Sequence, residues 1–367
     1  MRSHRIASLA LALSLAPQLG AQQAGDLARR VSAAPDGEVR MTYATRAGVC
    51  GDERGGVSIN GSIYLSSTIE SYGRWSGMRC EPGPARVTVT VKNHEVTGVR
   101  TRVGGAWPAS DGAQDLGVVR AAEAASYFLS LVPPLEGGTR SGPLLAAAVA
   151  DSANVAPQML RIGKMDSLPR EVRRRAIHWS GALGDASMVA PLTELARASG
   201  EGRAADGGMG PGPGLEGAAT GALAMIPEGA GIQALMGLAR DGSPAVRKSA
   251  VFWLGQSDDR AAVALVRTIA ANEDESVELR RSAVFALGQG EARVGDLLAL
   301  YRTVKPERVR EQVIFVLSQR DEDAATTALI DIARGDADRQ MRRKALFWLA
   351  QKDDPRVTKL ITDLVSK

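Results

Sequence analysis

The sequence predicts a mostly helical fold: an α-solenoid of stacked helix pairs preceded by a small β-rich domain. Three observations predict it. First, the segment 246–256 (VRKSAVFWLGQ) returns at 279–289 (LRRSAVFALGQ), 309–319 (VREQVIFVLSQ) and 341–351 (MRRKALFWLAQ), with an earlier copy at 172–182 (VRRRAIHWSGA) and a degenerate one at 215–225 (LEGAATGALAM). Second, apolar residues inside each copy recur at the helical period. Third, strict apolar–polar alternation is confined to residues 36–103, where both cysteines also lie.

The second residues of the copies are Arg173, Glu216, Arg247, Arg280, Arg310 and Arg342, so successive steps are 43, 31, 33, 30 and 32 residues. The one long step contains a Gly/Pro-rich insertion at 199–214, whose surplus accounts for the difference. A fixed period of this size marks stacked units, each unable to bury its apolar face alone. At 100° per residue, Val246, Ala250, Val251, Trp253 and Leu254 fall on one side of a helix, with Lys248, Ser249 and Phe252 on the other. A turn with Asp258-Asp259 follows, then a second periodic run at 262–270; Asp321 precedes 324–333 and Asp353-Asp354 precedes 357–365 in the same way. A carboxylate just ahead of a helix accepts from the free N–H groups of the first turn. Pro244, Pro306 and Pro355 fall near first-turn positions, where a missing N–H does no harm. Each unit is thus helix, short turn, helix.

The pattern V-R-x-x-A-x-x-x-L-G, a turn Asp and an apolar helix resembles the short HEAT repeats of the phycobilisome-lyase type, over about 144–367. The T-P-L-H turn of ankyrin repeats and the Trp, Leu-Gly and Tyr spacing of tetratricopeptide repeats are absent. The resemblance implies an α-solenoid used as a rigid binding scaffold and implies no reaction.

Along the chain, residues 1–21 have the form of an export signal. Arg2 and Arg5 make a basic start, 6–16 is an apolar stretch too short to span a bilayer, and Leu19-Gly20-Ala21 offers a cleavage site before Gln22. No cysteine follows for a lipid anchor, and the expected location is periplasmic or secreted. Lys and Arg total 45 against 41 Asp and Glu. Two of those cations leave with the signal, so no nucleic-acid partner is expected; nor is a membrane span.

Residues 22–110 are expected to form the β-rich domain. Val39, Met41 and Tyr43 alternate with Arg40, Thr42 and Ala44. The run 86–103 has the form of a β-hairpin about Lys92-Asn93-His94, with a bulge at Gly98 where the apolar phase shifts. Val57, Ile59, Ile63 and Leu65 suggest one or two more strands around Asn60-Gly61. In an exported chain the two cysteines, Cys50 and Cys80, point to one disulfide. The alternative is a metal site with His94, which leaves the fourth ligand unnamed. Residues 111–142 are expected to hold a bridging helix (115–131), ended by Pro133-Pro134, and a linker. The solenoid follows at 143–367, opening with an atypical pair at 144–150 and 156–165.

Chemistry is sparse. Of three histidines, His4 leaves with the signal, and no H-E-x-x-H, G-x-S-x-G or G-x-x-x-x-G-K-[ST] motif occurs. HEAT-repeat iron hydroxylases carry several His-Glu pairs on helices, whereas here the one pair, His94-Glu95, sits in a β-turn. No cofactor or metal is expected. Two columns run through the repeats. The basic column Arg173, Arg247, Arg280, Arg310, Arg342 is expected to be an internal ladder to carbonyls or to the turn aspartates Asp185, Asp258, Asp321 and Asp353. Its flanking residues Arg174, Lys248, Arg281 and Arg343 are expected to be exposed. The aromatic column Phe252, Phe285, Phe315, Phe347, with His178 at the equivalent place, is expected to pack between repeats or form an apolar ridge. The flanking cations and the four phenylalanines are the candidate partner-binding residues. The reading is a non-enzymatic extracytoplasmic scaffold for a protein partner. The alternative is an enzyme or cofactor-handling protein using His178, Trp179, His94 and Glu95 between the β-rich domain and the first repeats.

Overall fold

The computed structural model describes residues 25–52, 55–60, 63–65, 70–72, 80–107, 112–135, 142–201, 208–290 and 292–365. The signal segment expected at 1–21, all of the linker expected at 136–142 but Gly142, and residues 202–207 of the insertion lie outside the described residues. The chain packs as two units divided between Gly184 and Asp185.

The first unit opens with helix α1 (25–32), which the alternation pattern did not suggest. Its Leu27 and Val31, with Ala34 beyond it, sit one turn apart and are buried. A four-stranded sheet has the order β8-β7-β1-β9, built from β1 (Gly37–Tyr43), β7 (Ala85–Lys92), β8 (Glu95–Val103) and β9 (Gln114–Val118). The expected alternation is realised: Val39, Met41 and Tyr43 line up with Val89, Val87 and Ala85 on one buried face. The β7–β8 hairpin turns on Asn93 and His94, both at positive φ (52° and 63°), the two-residue turn that matches strand twist. Its bulge is present one residue before the expected Gly98: Thr90 faces Gly98 and Val91 faces Val96, leaving Thr97 unopposed.

Residues 114–118 form the parallel edge strand β9, not the start of a helix. Gly117 at φ +71° and Val118, 83% exposed, suit an edge that buries little. The helix α2 begins at Ala121 and ends at Ser130. It packs with α3 (Gly142–Ala148), and α3 lies on β8. Tyr43 joins the layers, its hydroxyl donating to the Ala146 carbonyl at 2.6 Å and its ring 6.2 Å from Phe128. Next along the chain, α4 (Ala156–Gly163) packs closely with α5 (Arg170–Ala182).

The second sheet is antiparallel, of order β5-β4-β3-β2-β6, from β2 (Val49–Gly51), β3 (Val57–Ile59), β4 (Ile63–Leu65), β5 (Glu70–Tyr72) and β6 (Glu81–Pro82). Cys50 and Cys80 are disulfide-bonded with Cα atoms 5.2 Å apart, linking the β2 strand to the residue before β6. Neither sulfur is then a thiolate ligand, which removes the metal reading with His94.

The second unit begins with a 3-10 turn and α6 (Val189–Gly200). Five helix pairs follow: α7 (Leu215–Met225) with α8 (Ile232–Asp241), α9 (Pro244–Gly255) with α10 (Arg260–Ala271), α11 (Val277–Gln289) with α12 (Val294–Thr303), α13 (Glu307–Ser318) with α14 (Asp323–Gly335), and α15 (Arg339–Leu349) with α16 (Pro355–Val365). The first helices form one row, α7 on α9, α9 on α11, α11 on α13 and α13 on α15, while the second helices contact one another more sparingly. Asp185, Asp259, Asp338 and Asp354 accept from backbone N–H groups two or three residues on, as helix caps do. The cap expected of Asp321 is absent, because α14 starts after Glu322 with no side-chain bond.

Rows on both sides explain why α9 is buried more widely than its wheel suggests. Leu254, Val246 and Ala250 are fully buried as expected. Ser249, placed on the opposite side at 100° per residue, is buried too, with its hydroxyl 2.6 Å from that of Thr220 on α7.

The arginine column and a candidate partner-binding face

The basic column enters each first helix near its start and points back to the end of the helix before it. Arg173 Nε donates to the Gly163 carbonyl (3.0 Å), Arg247 Nε to Ala239 (2.9 Å) and Arg280 Nε to Ala270 (3.1 Å). Arg342 reaches the Asp336 carbonyl (2.5 Å) just past α14. These are carbonyls at or just beyond a helix C-terminus, where the helix dipole favours a cation and intrahelical partners run out. Arg280 is only 2% exposed, so its charge is stabilised by those bonds.

The ladder is therefore present, with different acids from those expected. Arg247 forms a two-pronged pair with Glu275, and Arg310 bonds Asp336 Oδ2 at 2.6 Å. Both carboxylates lie in the connection entering the next first helix, not in the turns that hold Asp185, Asp258, Asp321 and Asp353. Arg310 also stacks over the Tyr301 ring (4.7 Å), and Tyr301 donates to Asp336 (2.6 Å). Burial and the bond to Asp336 raise the Tyr301 pKa. Burial pulls the Asp336 pKa up, but the bonds from Tyr301 and Arg310 outweigh it and leave the carboxyl below its ordinary value.

The flanking residues do not make a continuous cationic ridge. Arg343 is exposed, Arg174 is partly exposed and paired with Glu171 (3.3 Å), and Arg281 is partly buried with Nη2 3.4 Å from Gln312. The α13 position in this column is Glu311, paired with Lys344. Lys248 departs most from expectation: it is 3% exposed, and its ammonium donates to the Gly208 carbonyl (3.2 Å). Burial lowers its pKa. It also borders a cavity of about 330 Å³ between the starts of α9 and α11, beside Arg247, Glu275 and Ser276.

The aromatic column packs along the row. The rings of Phe252 and Phe285 stack at 6.4 Å between α9 and α11, and Phe315 meets Trp348 edge-on at 5.3 Å between α13 and α15. Phe347, on the last first helix, is 59% exposed, with Trp348 beside it at 5.1 Å. Inter-repeat packing thus takes the inner members and leaves the terminal one free.

The residues offered for the alternative reading sit in separate settings. His94 lies in the hairpin turn, with Nδ1 2.9 Å from the Ser32 carbonyl, and Glu95 begins β8. His178 sits edge-on to the buried Trp179 at 6.3 Å. It keeps some exposed surface, but Nε2 is shut from solvent, and burial, helped by Arg174, lowers its pKa to about 4. No group of three or more His, Cys, Asp or Glu suited to a metal occurs among the described residues. Nor is any described helix long and apolar enough to cross a membrane.

No curated protein matches the chain. Residues 232–318 match the family of HEAT repeats. That stretch begins with the first residue of α8 and ends with the last of α13, so it covers whole helices of the row just described. Residues 232–318 thus have the form of HEAT repeats.

Proposed function

We propose that the protein is an exported, non-enzymatic scaffold that holds a protein partner along the first-helix face defined by the Lys248 and Phe252 columns. HEAT repeats commonly mediate protein interactions, and their row of first helices offers one face repeated at a regular spacing. The period near 31 residues and the V-R-x-x-A-x-x-x-L-G pattern support the short, phycobilisome-lyase-like form of the repeat. Export rests on the basic start, short apolar run and small-residue site of 1–21, and the Cys50–Cys80 disulfide supports an oxidising compartment. The non-enzymatic reading draws on the separate, structural engagement of His94 and His178.

Phe347 carries the proposal. A ring 59% exposed, at the end of a column whose earlier members are stacked away, is a ready anchor for a partner, and Arg343 lies one turn before it. The test is capture from a periplasmic extract by the immobilised mature chain, run beside the double variant Phe347→Ser, Arg343→Glu. A protein retained by the parental chain and lost from the variant is expected. No retained protein, or equal retention by both, contradicts the proposal. N-terminal sequencing of the chain recovered from the extract tests export separately and is expected to begin at Gln22.

A further inference from the structure

The degenerate repeat explains where the insertion goes. At α7 the two columns are interrupted: Gly217 stands where Lys248 and Arg281 stand in later copies, and Gly221 where Phe252 and Phe285 stand. Residues 208–214 of the insertion (GMGPGPG) lie over Gly217, while the Trp253 ring takes the space at Gly221. A Cβ on Gly217 would come within 2.0 Å of the Gly212 carbonyl oxygen, so backbone touches helix backbone there. Cβ atoms on Gly212 and Gly214 would meet the Glu216 carboxylate at 2.8 and 2.0 Å. Further along, a Cβ on Gly210 would sit 3.9 Å from the Phe252 ring, and the Gly208 carbonyl accepts from Lys248 Nζ.

One short segment thus lies over Gly217 on α7 and over Lys248 and Phe252 on α9. The surface reads its backbone: an ammonium takes a carbonyl, an aromatic ring faces a glycine, and the helix glycine Gly217 admits close approach. Pro211 and Pro213 present no N–H needing a partner, and their fixed φ reduces the entropy lost on ordering.

We infer that this face binds Gly/Pro-rich protein segments, and that residues 208–214 occupy it in cis, so a partner reaches Lys248 and Phe252 by displacing them. The inference rests on the scaffold reading and names its class of partner. A tethered segment competes at an effective concentration in the millimolar range, so a partner must outbind it or present several such segments.

The experiment follows acylation of Lys248 by an amine-reactive ester, read by peptide mass spectrometry, with Lys344 as the internal standard. Three chains are compared: the full chain, a deletion of 202–213, and Gly212→Val, whose side chain meets Glu216 without shortening the chain. Lys248 is expected to react about tenfold faster in the deletion, and severalfold faster in Gly212→Val, because its cover is lost. A capped synthetic peptide of residues 208–214 at millimolar concentration is expected to slow labelling in whichever of the two variants folds. Equal Lys248 rates in the full and altered chains overturn the inference, as does faster labelling that the peptide leaves unchanged. Failure of the scaffold reading is distinguishable, because it appears as no protein captured while the labelling pattern stands.

Discussion

The helix row from α7 to α16 and the five-stranded sheet β5-β4-β3-β2-β6 bury their residues by different means. In the row, each inner first helix has neighbours on both sides, so even Ser249 is covered. In the sheet, the described strands are two or three residues long, and β2 pairs with β6 some thirty residues on, beside the Cys50–Cys80 link. Repetition distributes stability along the row, whereas a small, short-stranded sheet leans on a covalent staple. Damage should accordingly spread differently in the two regions.

Leu254→Ala is the largest expected break in the row. Its side chain is fully buried on α9, and truncation should cost about 2–5 kcal/mol through lost transfer energy and the cavity left behind. The denaturant midpoint of the mature chain measures it, and an unchanged midpoint would mean Leu254 is misplaced. The corresponding break in the sheet is Cys50→Ser with Cys80→Ser. Opening the link should cost about 3–4 kcal/mol on the chain-entropy account. Hydrogen exchange should rise in residues 25–184 and stay unchanged in α9 and α11; a uniform rise across both units would erase the contrast.

His178 sharpens the comparison through pH. Its folded pKa of about 4 lies below the ordinary 6.5, so the unfolded chain binds the proton first as pH falls. The stabilisation is complete above about pH 6.5, declines as pH drops towards 4, and amounts to about 3 kcal/mol over that interval. His178→Phe should flatten that part of the stability–pH curve, and an unaltered slope would place the imidazole in solvent. The smallest effect is expected at the end of the row. Phe347→Ser should change stability by no more than about 0.5 kcal/mol, as at other exposed sites, and an unfolding midpoint shifted well beyond that would show the ring packed away.

The row was legible because a helical period repeated at a near-constant spacing is hard to produce otherwise. The pattern at 246–255 anticipated α9, and the alternation at 86–103 anticipated the β7–β8 hairpin and its bulge. Strand β9 was not legible: an exposed edge strand carries no alternation, and Leu116 and Val119 happened to extend the stripe of α2. The helical wheel also misjudged Ser249, because polarity marks a solvent face only on a helix with one free side, and Lys248, which the insertion covers. The carboxylates of the ladder were misassigned for a similar reason. The sequence shows which acids are near a turn, but Glu275 and Asp336 are selected by the stacking of one pair on the next. Composition identified the insertion without placing it. The signal that placed it, Gly217 standing in the Lys248 column, was visible as mere degeneracy.

The central claim is that adjacent positions in each repeat have opposite duties: the arginine column holds one helix to the end of the last, and its neighbours face outward unless something covers them. Arg280→Ala and Arg343→Ala test it together by denaturant unfolding of the mature chain. Removing the buried Arg280 strips the Ala270 and Ala271 carbonyls of their donor and should lower stability by about 1.5–3 kcal/mol, while the exposed Arg343 should shift it by under about 0.5 kcal/mol. Equal small losses for the two variants, or a larger loss at Arg343, would contradict the account.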